Sequence, residues 1–579
     1  MKTHDVHWLF AALGVASLGA AAATVAAAPP APFVWSTVVN NGDFMPTDLC
    51  DPTVPSPTTP PCRKFNSYNQ PSVNADRLVV IRARSRGGQG LGQPVHGVYT
   101  RDMAAAGRVV KILDRNTLVP QPNNLDSEFI EPPSFPRIDI GTNTVATRGN
   151  HQPVWRYFLD DGTETRAGTT GIYTNPFGAL TTGASKLGAI PDFSFFQVPE
   201  EAPGTPFDVF PGAPAVTDGA TIVFKGNYTV NLVGKTGVYY RDLENAPIPL
   251  DRASLAPAGG TNPVVLIANN THTFIPGTSK VFGSTAPPSA ANRQAVFAGF
   301  DNEENPTLGG IYLAPLAGAA PPLATLVAIG AQVPGESRHD TFNRLGEGVS
   351  FDGRFVAFWG AWGTATKTLV LQCREEGNAD RVAFCLELHP NGLKVEVPVN
   401  QGIFVHDILF RWTQVVAKTP GDFDDFVYWN FSGRVPVTGE GDDDGELARW
   451  RSASFVAVSG LVDGSLTNAT FHAAFKARTG DVVDGAYVSP VDGIYLRPGP
   501  GRAKILTVVE TGMDGTLIDP EAVFDDDENP ATPPVPLPVT EMGLERDGFR
   551  GNSLVINASM GTEEAGWAGI YLTVAPDEM

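Results

Sequence analysis

Positive charge is scarce in this chain. It carries 41 Lys and Arg against 62 Asp and Glu, a formal net charge of -21. Nucleic acid and anionic membrane surfaces are bound through clustered Lys and Arg, so this balance excludes both and leaves cations, basic proteins and neutral ligands such as sugars. Long apolar runs are missing after the first 28 residues, which removes any later membrane-spanning helix. Catalytic signatures are missing as well. The nine histidines are scattered, with no metal-pair spacing and no His-Glu-x-x-His, and there is no Gly-x-Ser-x-Gly elbow. Carboxylates abound, but a glycosidase needs two at a set separation across its substrate, which spacing within loops does not define.

What is present points to turns and short strands: 61 Gly and 50 Pro with only 18% charged residues. Lys2 precedes an apolar run from Trp8 to Val25 that ends in Ala26-Ala27-Ala28 before Pro29. That order fits a secretory signal over residues 1–28, so the mature protein is expected to be secreted, periplasmic or otherwise extracellular, without a transmembrane segment. The alternative is an uncleaved N-terminal membrane anchor, for which Trp8 to Ala28 is long enough. The four cysteines fall as Cys50 with Cys62 and Cys373 with Cys385, each pair enclosing eleven residues. Export and equal spacing favour the two local disulfides over zinc, each worth on the order of 2–3 kcal/mol in the chain-entropy picture.

The strongest pattern is a glycine-led triplet: Gly97-Val98-Tyr99, Gly171-Ile172-Tyr173, Gly237-Val238-Tyr239, Gly310-Ile311-Tyr312, Gly402-Ile403-Phe404, Gly493-Ile494-Tyr495 and Gly569-Ile570-Tyr571. Successive glycines lie 66 to 92 residues apart, a spacing that suits one four-stranded sheet with generous loops. Around each triplet a short apolar segment, a stronger strand, the triplet strand and a fourth strand can be traced, the second and third units being degenerate after the triplet. The seventh unit ends at Met579 without its fourth strand. Trp35-Ser36-Thr37-Val38-Val39 with Gly42-Asp43-Phe44 matches Trp412-Thr413-Gln414-Val415-Val416 with Gly421-Asp422-Phe423, and supplies the missing strand from the other end. Such a split closes a ring and removes exposed sheet edges, which an open solenoid would not require.

The chain therefore resembles secreted seven-bladed β-propeller proteins with degenerate repeats, over roughly residues 33 to 575. The expected fold is all-β: a seven-bladed propeller of four-stranded antiparallel blades, closed by an N-terminal strand, and a single domain over residues 29–579. Trp-Asp and kelch signatures are absent, so no family's functional residues carry over. The triplet Gly and Tyr are expected to be scaffold.

Function is expected on the long loops. Links between second and third strands (Gly360 to Gln401) and from each fourth strand onward (Lys418 to Ser454, Glu510 to Thr540) emerge on one face, and both cysteine pairs brace them. On that face Asp442, Asp443, Asp444, Arg449, Trp450, Arg451, Trp362 and Trp429 combine rings with charges suited to a sugar, and are the candidate ligand-binding residues. Packing between blades is the competing reading for the tryptophans. No cofactor is specified, but clustered carboxylates make calcium a candidate, with Asp525, Asp526 and Asp527 as ligands, against the alternative of solvated acid. The leading reading is a monomeric, exported, non-enzymatic propeller binding a glycan or protein ligand. A carboxylate-dependent hydrolase or lyase acting on polysaccharide or phosphate ester is the alternative, and a structural envelope or matrix component the third.

Overall fold

All seven glycine-led triplets lie in the next-to-outermost strand of an antiparallel sheet, and at all seven the register shifts just before the aromatic. The fourth strand inserts one extra residue there, at Ile112, Gly183, Ile267, Leu326, Val416, Val508 and Val38 in turn. This β-bulge twists the blade's outer edge. It also explains the glycine. A Cβ on Gly493 would lie 2.7 Å from the Tyr495 ring, which folds back over it, and one on Gly569 would meet both the Tyr571 hydroxyl at 2.5 Å and the Val39 carbonyl at 2.7 Å. The aromatics themselves are buried, none more than 4% exposed.

The computed structural model describes residues 33–576 apart from 47–61, 88–92, 245–258, 376–377, 437–446, 461–469, 500–503, 526–532 and 564. The proposed signal segment, Cys50, Asp442, Asp443, Asp444, Asp526 and Asp527 thus lie outside the described residues. From Phe33 onward these residues form a seven-bladed β-propeller. Blade 1 runs Ser72–Val73, Leu78–Ser85, His96–Asp102, Val110–Asp114 from axis to rim. Blade 7 takes its outer strand, Trp35–Asn40, from the N-terminal side of the chain, paired antiparallel to Gly566–Val574. The innermost strands touch in cyclic order: Ser72–Val73, Arg137–Ile138, Ala215–Thr217, Ser289–Ala291, Ser350–Phe351, Val456–Gly460, Phe549–Arg550, then Ser72–Val73 again. The ring is closed. Blades 2 and 3 do have outer strands, Ala179–Ser185 and Val265–Asn269, where the sequence looked degenerate.

Most inner strands are broken midway by a bend that carries Pro or Gly, such as Ala286-Pro287-Pro288 between Ser284–Thr285 and Ser289–Ala291. An edge strand facing the axis pairs on one side only, so the amide that proline lacks is not missed there. In blade 7 the bend, Leu544 to Gly548, lies across the axis. The Asp547 carbonyl accepts from the Val73 N–H of blade 1 at 3.0 Å, and the Arg546 carbonyl from the Ser350 hydroxyl of blade 5 at 2.6 Å. Arg546 donates to the Pro287 carbonyl of blade 4 at 3.2 Å, and Arg550 to the Val458 carbonyl of blade 6 at 3.0 Å. The Asp547 carboxylate pairs with Arg137 of blade 2 and with Arg550. Burial alone would raise its pKa, but the surrounding Arg137, Arg550 and Arg546 hold it below the usual carboxylate range.

The expected loop from Gly360 to Gln401 is instead mostly regular structure, half of it strand. The second and third strands of blade 5 extend to 17 and 15 residues, Phe355–Leu371 and Leu393–Asp407, and one helix, α1 (Ala379–Leu388), sits at their tip.

Candidate functional site

Second strands run toward the long-loop face, so the extended blade 5 hairpin projects from it. Three other pieces pack around that projection. Helix α1 is capped by the Asn378 side chain and tied to the strand end by the Cys373–Cys385 disulfide. A hairpin pairs Tyr428–Ser432 with Arg449–Ala453, and its Phe431 ring meets Phe384, His389 and Trp450 at 6.3, 6.2 and 5.6 Å. A shorter hairpin of blade 6, Val482–Val483 with Ala486–Tyr487, takes a hydrogen bond from the Val370 N–H to the Gly485 carbonyl at 2.8 Å. Three links that are far apart in sequence thus form one module on blades 5 and 6. Cys62 is also disulfide-bonded.

Beneath the module, the blade 6 strand Phe471–Thr479 ends with Lys476 and Arg478 on the same face, two residues apart. Both cations lie over the Tyr428 ring, Lys476 Nζ at 4.3 Å and the Arg478 guanidinium at 4.9 Å from its centroid. Arg478 forks onto Asp492 at 2.6 and 3.0 Å. Burial acts to lower its pKa, but this pairing raises it above the ordinary value. Lys476 differs. Its ammonium is buried, 8% exposed, and among the described residues donates one hydrogen bond, to the Met542 carbonyl of blade 7 at 2.9 Å. Burial pushes its pKa down, with Asp492 and Glu541 pulling the other way. The Tyr428 hydroxyl is buried with no hydrogen-bond partner among the described residues, and burial raises its pKa. Next to this pair, Asp425 accepts from Gln401 at 2.8 Å and from the Tyr487 hydroxyl, and forms an ion pair with Lys367 at 3.4 Å. Gln401 in turn accepts from the Trp359 indole at 2.9 Å.

The structure separates the residues singled out from sequence. Trp362 is 5% exposed and packs on Phe404, and Trp429 is half-buried against the core between blades 5 and 6. Trp450 faces the disulfide and α1 on the 428–453 hairpin. Neither the Trp429 nor the Trp450 indole N–H has an acceptor among the described residues. Arg449 forms an ion pair with Glu303, in the link of blade 4, and Arg451 lies opposite Asn430. Of the acidic loops, Asp301 accepts from Lys280, Thr307 and Leu308, Asp422 from the Lys418 N–H at 3.0 Å, and Asp424 from the Gly480 N–H at 2.9 Å. Asp422 thus shapes its own loop, Asp301 its own loop and the Lys280 segment, and Asp424 ties its link to blade 6. Asp525 is exposed, and no group of three His, Cys, Asp or Glu gathers as a metal site among the described residues.

Lys476, Arg478 and Tyr487 were not singled out from sequence. The usable signal was Lys476 within Phe471 to Ala477, a run otherwise apolar but for His472, with Arg478 just after it, since a lysine rarely faces a core without a task. Tyr487 gave no such signal, because its hairpin is two residues per strand.

No protein-family model and no curated protein sequence matches the chain. Three solved structures that match are a polysaccharide lyase, Uly1 (11% identity, 52% of this chain and 56% of that one, TM-score 0.27), the α-L-arabinofuranosidase PaAbf62A from Podospora anserina in complex with cellotriose (11%, 64% and 91%, TM-score 0.20), and the tricorn protease (10%, 86% and 55%, TM-score 0.15). The match thus spans little more than half of the lyase.

Proposed function

We propose that the chain is an exported propeller that binds a ligand through its long-loop face, and that the ligand is a glycan held at Lys476 and Tyr428. One observation supports this above the rest. A buried ammonium, hydrogen-bonded to the Met542 carbonyl, lies over the ring of Tyr428, whose buried hydroxyl has no partner among the described residues, under a module built from long links of the chain. Leaving such a donor unmet costs about 1–3 kcal/mol. A ligand rich in acceptor oxygens offsets that cost, and a polyhydroxylated chain offers them at close spacing. A protein ligand, presenting backbone carbonyls, is the second form of the same reading. The calcium reading attaches to Asp525, Asp526 and Asp527.

The test is a glycan-array screen of the mature protein, with and without calcium, followed by calorimetric titration of each hit. Tyr428→Phe removes only the unpartnered hydroxyl, so its melting temperature is expected to stay level while glycan affinity falls roughly tenfold, the size of one lost hydrogen bond. Absence of binding under both conditions, or turnover of a polysaccharide or phosphate ester, overturns the reading.

A further inference from the structure

The outer strand of every blade carries the β-bulge described above, and a bulged edge pairs poorly with a further strand. The extension of the blade 5 hairpin has no such protection. It outruns its fourth strand, which stops opposite Gly402, and its register is regular from the pair Thr366 and Pro398 to the pair Leu371 and Leu393. Its inner side is covered, with the Val370 N–H donating to the Gly485 carbonyl of the blade 6 hairpin at 2.8 Å. That amide turns away from Lys394, the residue across the pair, so Val370 and Lys394 form a non-hydrogen-bonded pair. The N–H and C=O of Lys394, and those of Glu396 two residues on, therefore point to the outer side, where no described residue bonds to them. Pro398 ends this edge, since it has no amide and its carbonyl accepts from the Gln401 side chain at 3.0 Å.

The edge is complementary to itself. Turned antiparallel about Val395, a second copy sets its Glu396 opposite Lys394 and its Lys394 opposite Glu396, the two residues whose main-chain groups face outward. Both side chains are exposed. The Thr368 and Thr366 hydroxyls donate to the Glu396 carboxylate at 2.6 and 2.7 Å and lower its pKa, so it stays charged. We propose that residues 393–398 are a self-association edge, on which two copies of the chain pair antiparallel about Val395 and continue the blade 5 sheet from one molecule into the other. Each Lys394 exchanges main-chain hydrogen bonds with the Glu396 of the other copy, and its ammonium meets that carboxylate. A shift of two residues in either direction sets Lys394 against Lys394 or Glu396 against Glu396, so the charges also fix the register. A dimer takes the place of the monomer expected from sequence. The glycan reading plays no part in this inference.

The experiment is sedimentation velocity on the full chain over roughly 1–100 µM, the range a small interface calls for. The net charge of -21 opposes the approach of two copies, so the buffer holds about 0.15 M salt, which screens charges farther apart than about 8 Å. A reversible monomer–dimer equilibrium is expected. Lys394→Glu and Glu396→Lys should each weaken it at least roughly tenfold, because the two-fold axis repeats every like-charge contact. Mixing these two variants should restore association as a heterodimer, since every contact is again between opposite charges, and so should both changes in one chain. Both side chains are exposed, so melting of the variants should match the parent. The proposal is overturned by a monomer throughout the range, by a dimer indifferent to both variants, or by no association in the mixture. Tyr428→Phe leaves self-association unchanged, so a failure here and a failure of the glycan reading are told apart.

Discussion

At the residue scale, the repeat signature is a steric pair and not a binding motif. In six of the seven triplets the aromatic lies back over the glycine two residues before it; the exception, Gly310, is instead closed by the fourth-strand carbonyl of Val327. Gly493→Ala is therefore expected to destabilise by about 1–3 kcal/mol, the usual range for overpacking. Replacing Tyr495 by Leu as well should recover part of that loss, and urea unfolding of the two variants checks both. His151 gives a second expectation. It is 3% exposed, and its two ring nitrogens face the Gln152 carbonyl at 2.8 Å and the Tyr173 hydroxyl at 2.5 Å, as suits the neutral ring. Burial lowers its pKa to about 4 from the ordinary 6.5. Between those values the unfolded chain binds a proton that the folded one does not, so this residue's contribution to stability falls as pH drops from about 6.5 to 4. The loss amounts to about 3 kcal/mol in all. Unfolding titrations of the parent and His151→Gln across that window should differ in slope, with the variant flatter.

At the element scale, strands of ordinary length and the turns between them were legible in the sequence, because apolar runs bounded by Gly and Pro marked them. The 17-residue strand Phe355–Leu371 was not. It is three times the usual strand length, so the alternation in Leu393, Val395 and Val397 of its partner was overridden by the expectation of a loop. Arg101, Arg241 and Arg497, each two residues past a triplet aromatic, stood in plain view in three repeats. Their role was hidden because each donates to a main-chain carbonyl of the preceding blade's outer strand, which no side-chain pattern records. The segment across the axis was hidden as well: its partners are an amide, a hydroxyl, a carbonyl and an arginine of four other blades, far apart in the chain. Its Asp547 is the expected weak point. Asp547→Asn leaves Arg137 and Arg550 buried without their carboxylate, so a loss of roughly 3–5 kcal/mol is expected, read as a lowered unfolding midpoint in denaturant.

At the scale of the whole molecule, an acidic chain with net charge -21 folds as a ring whose axis is filled by its own residues, so binding is left to its faces and edges. The fold was legible because repetition makes seven weak signals into one strong one. The site was legible only as a region. The long links pointed to a face, yet Lys476 comes from a blade 6 strand and Tyr428 from the link between blades 5 and 6, and no spacing in sequence encodes their meeting. The claim that this face binds a glycan is tested most directly by titrating the parent and the Lys476→Met, Tyr428→Phe double variant with the best array hit. The expected result is saturable binding without turnover by the parent, and its loss in a variant of undiminished melting temperature. Equal binding by the two proteins, or none by the parent to any glycan, would contradict it.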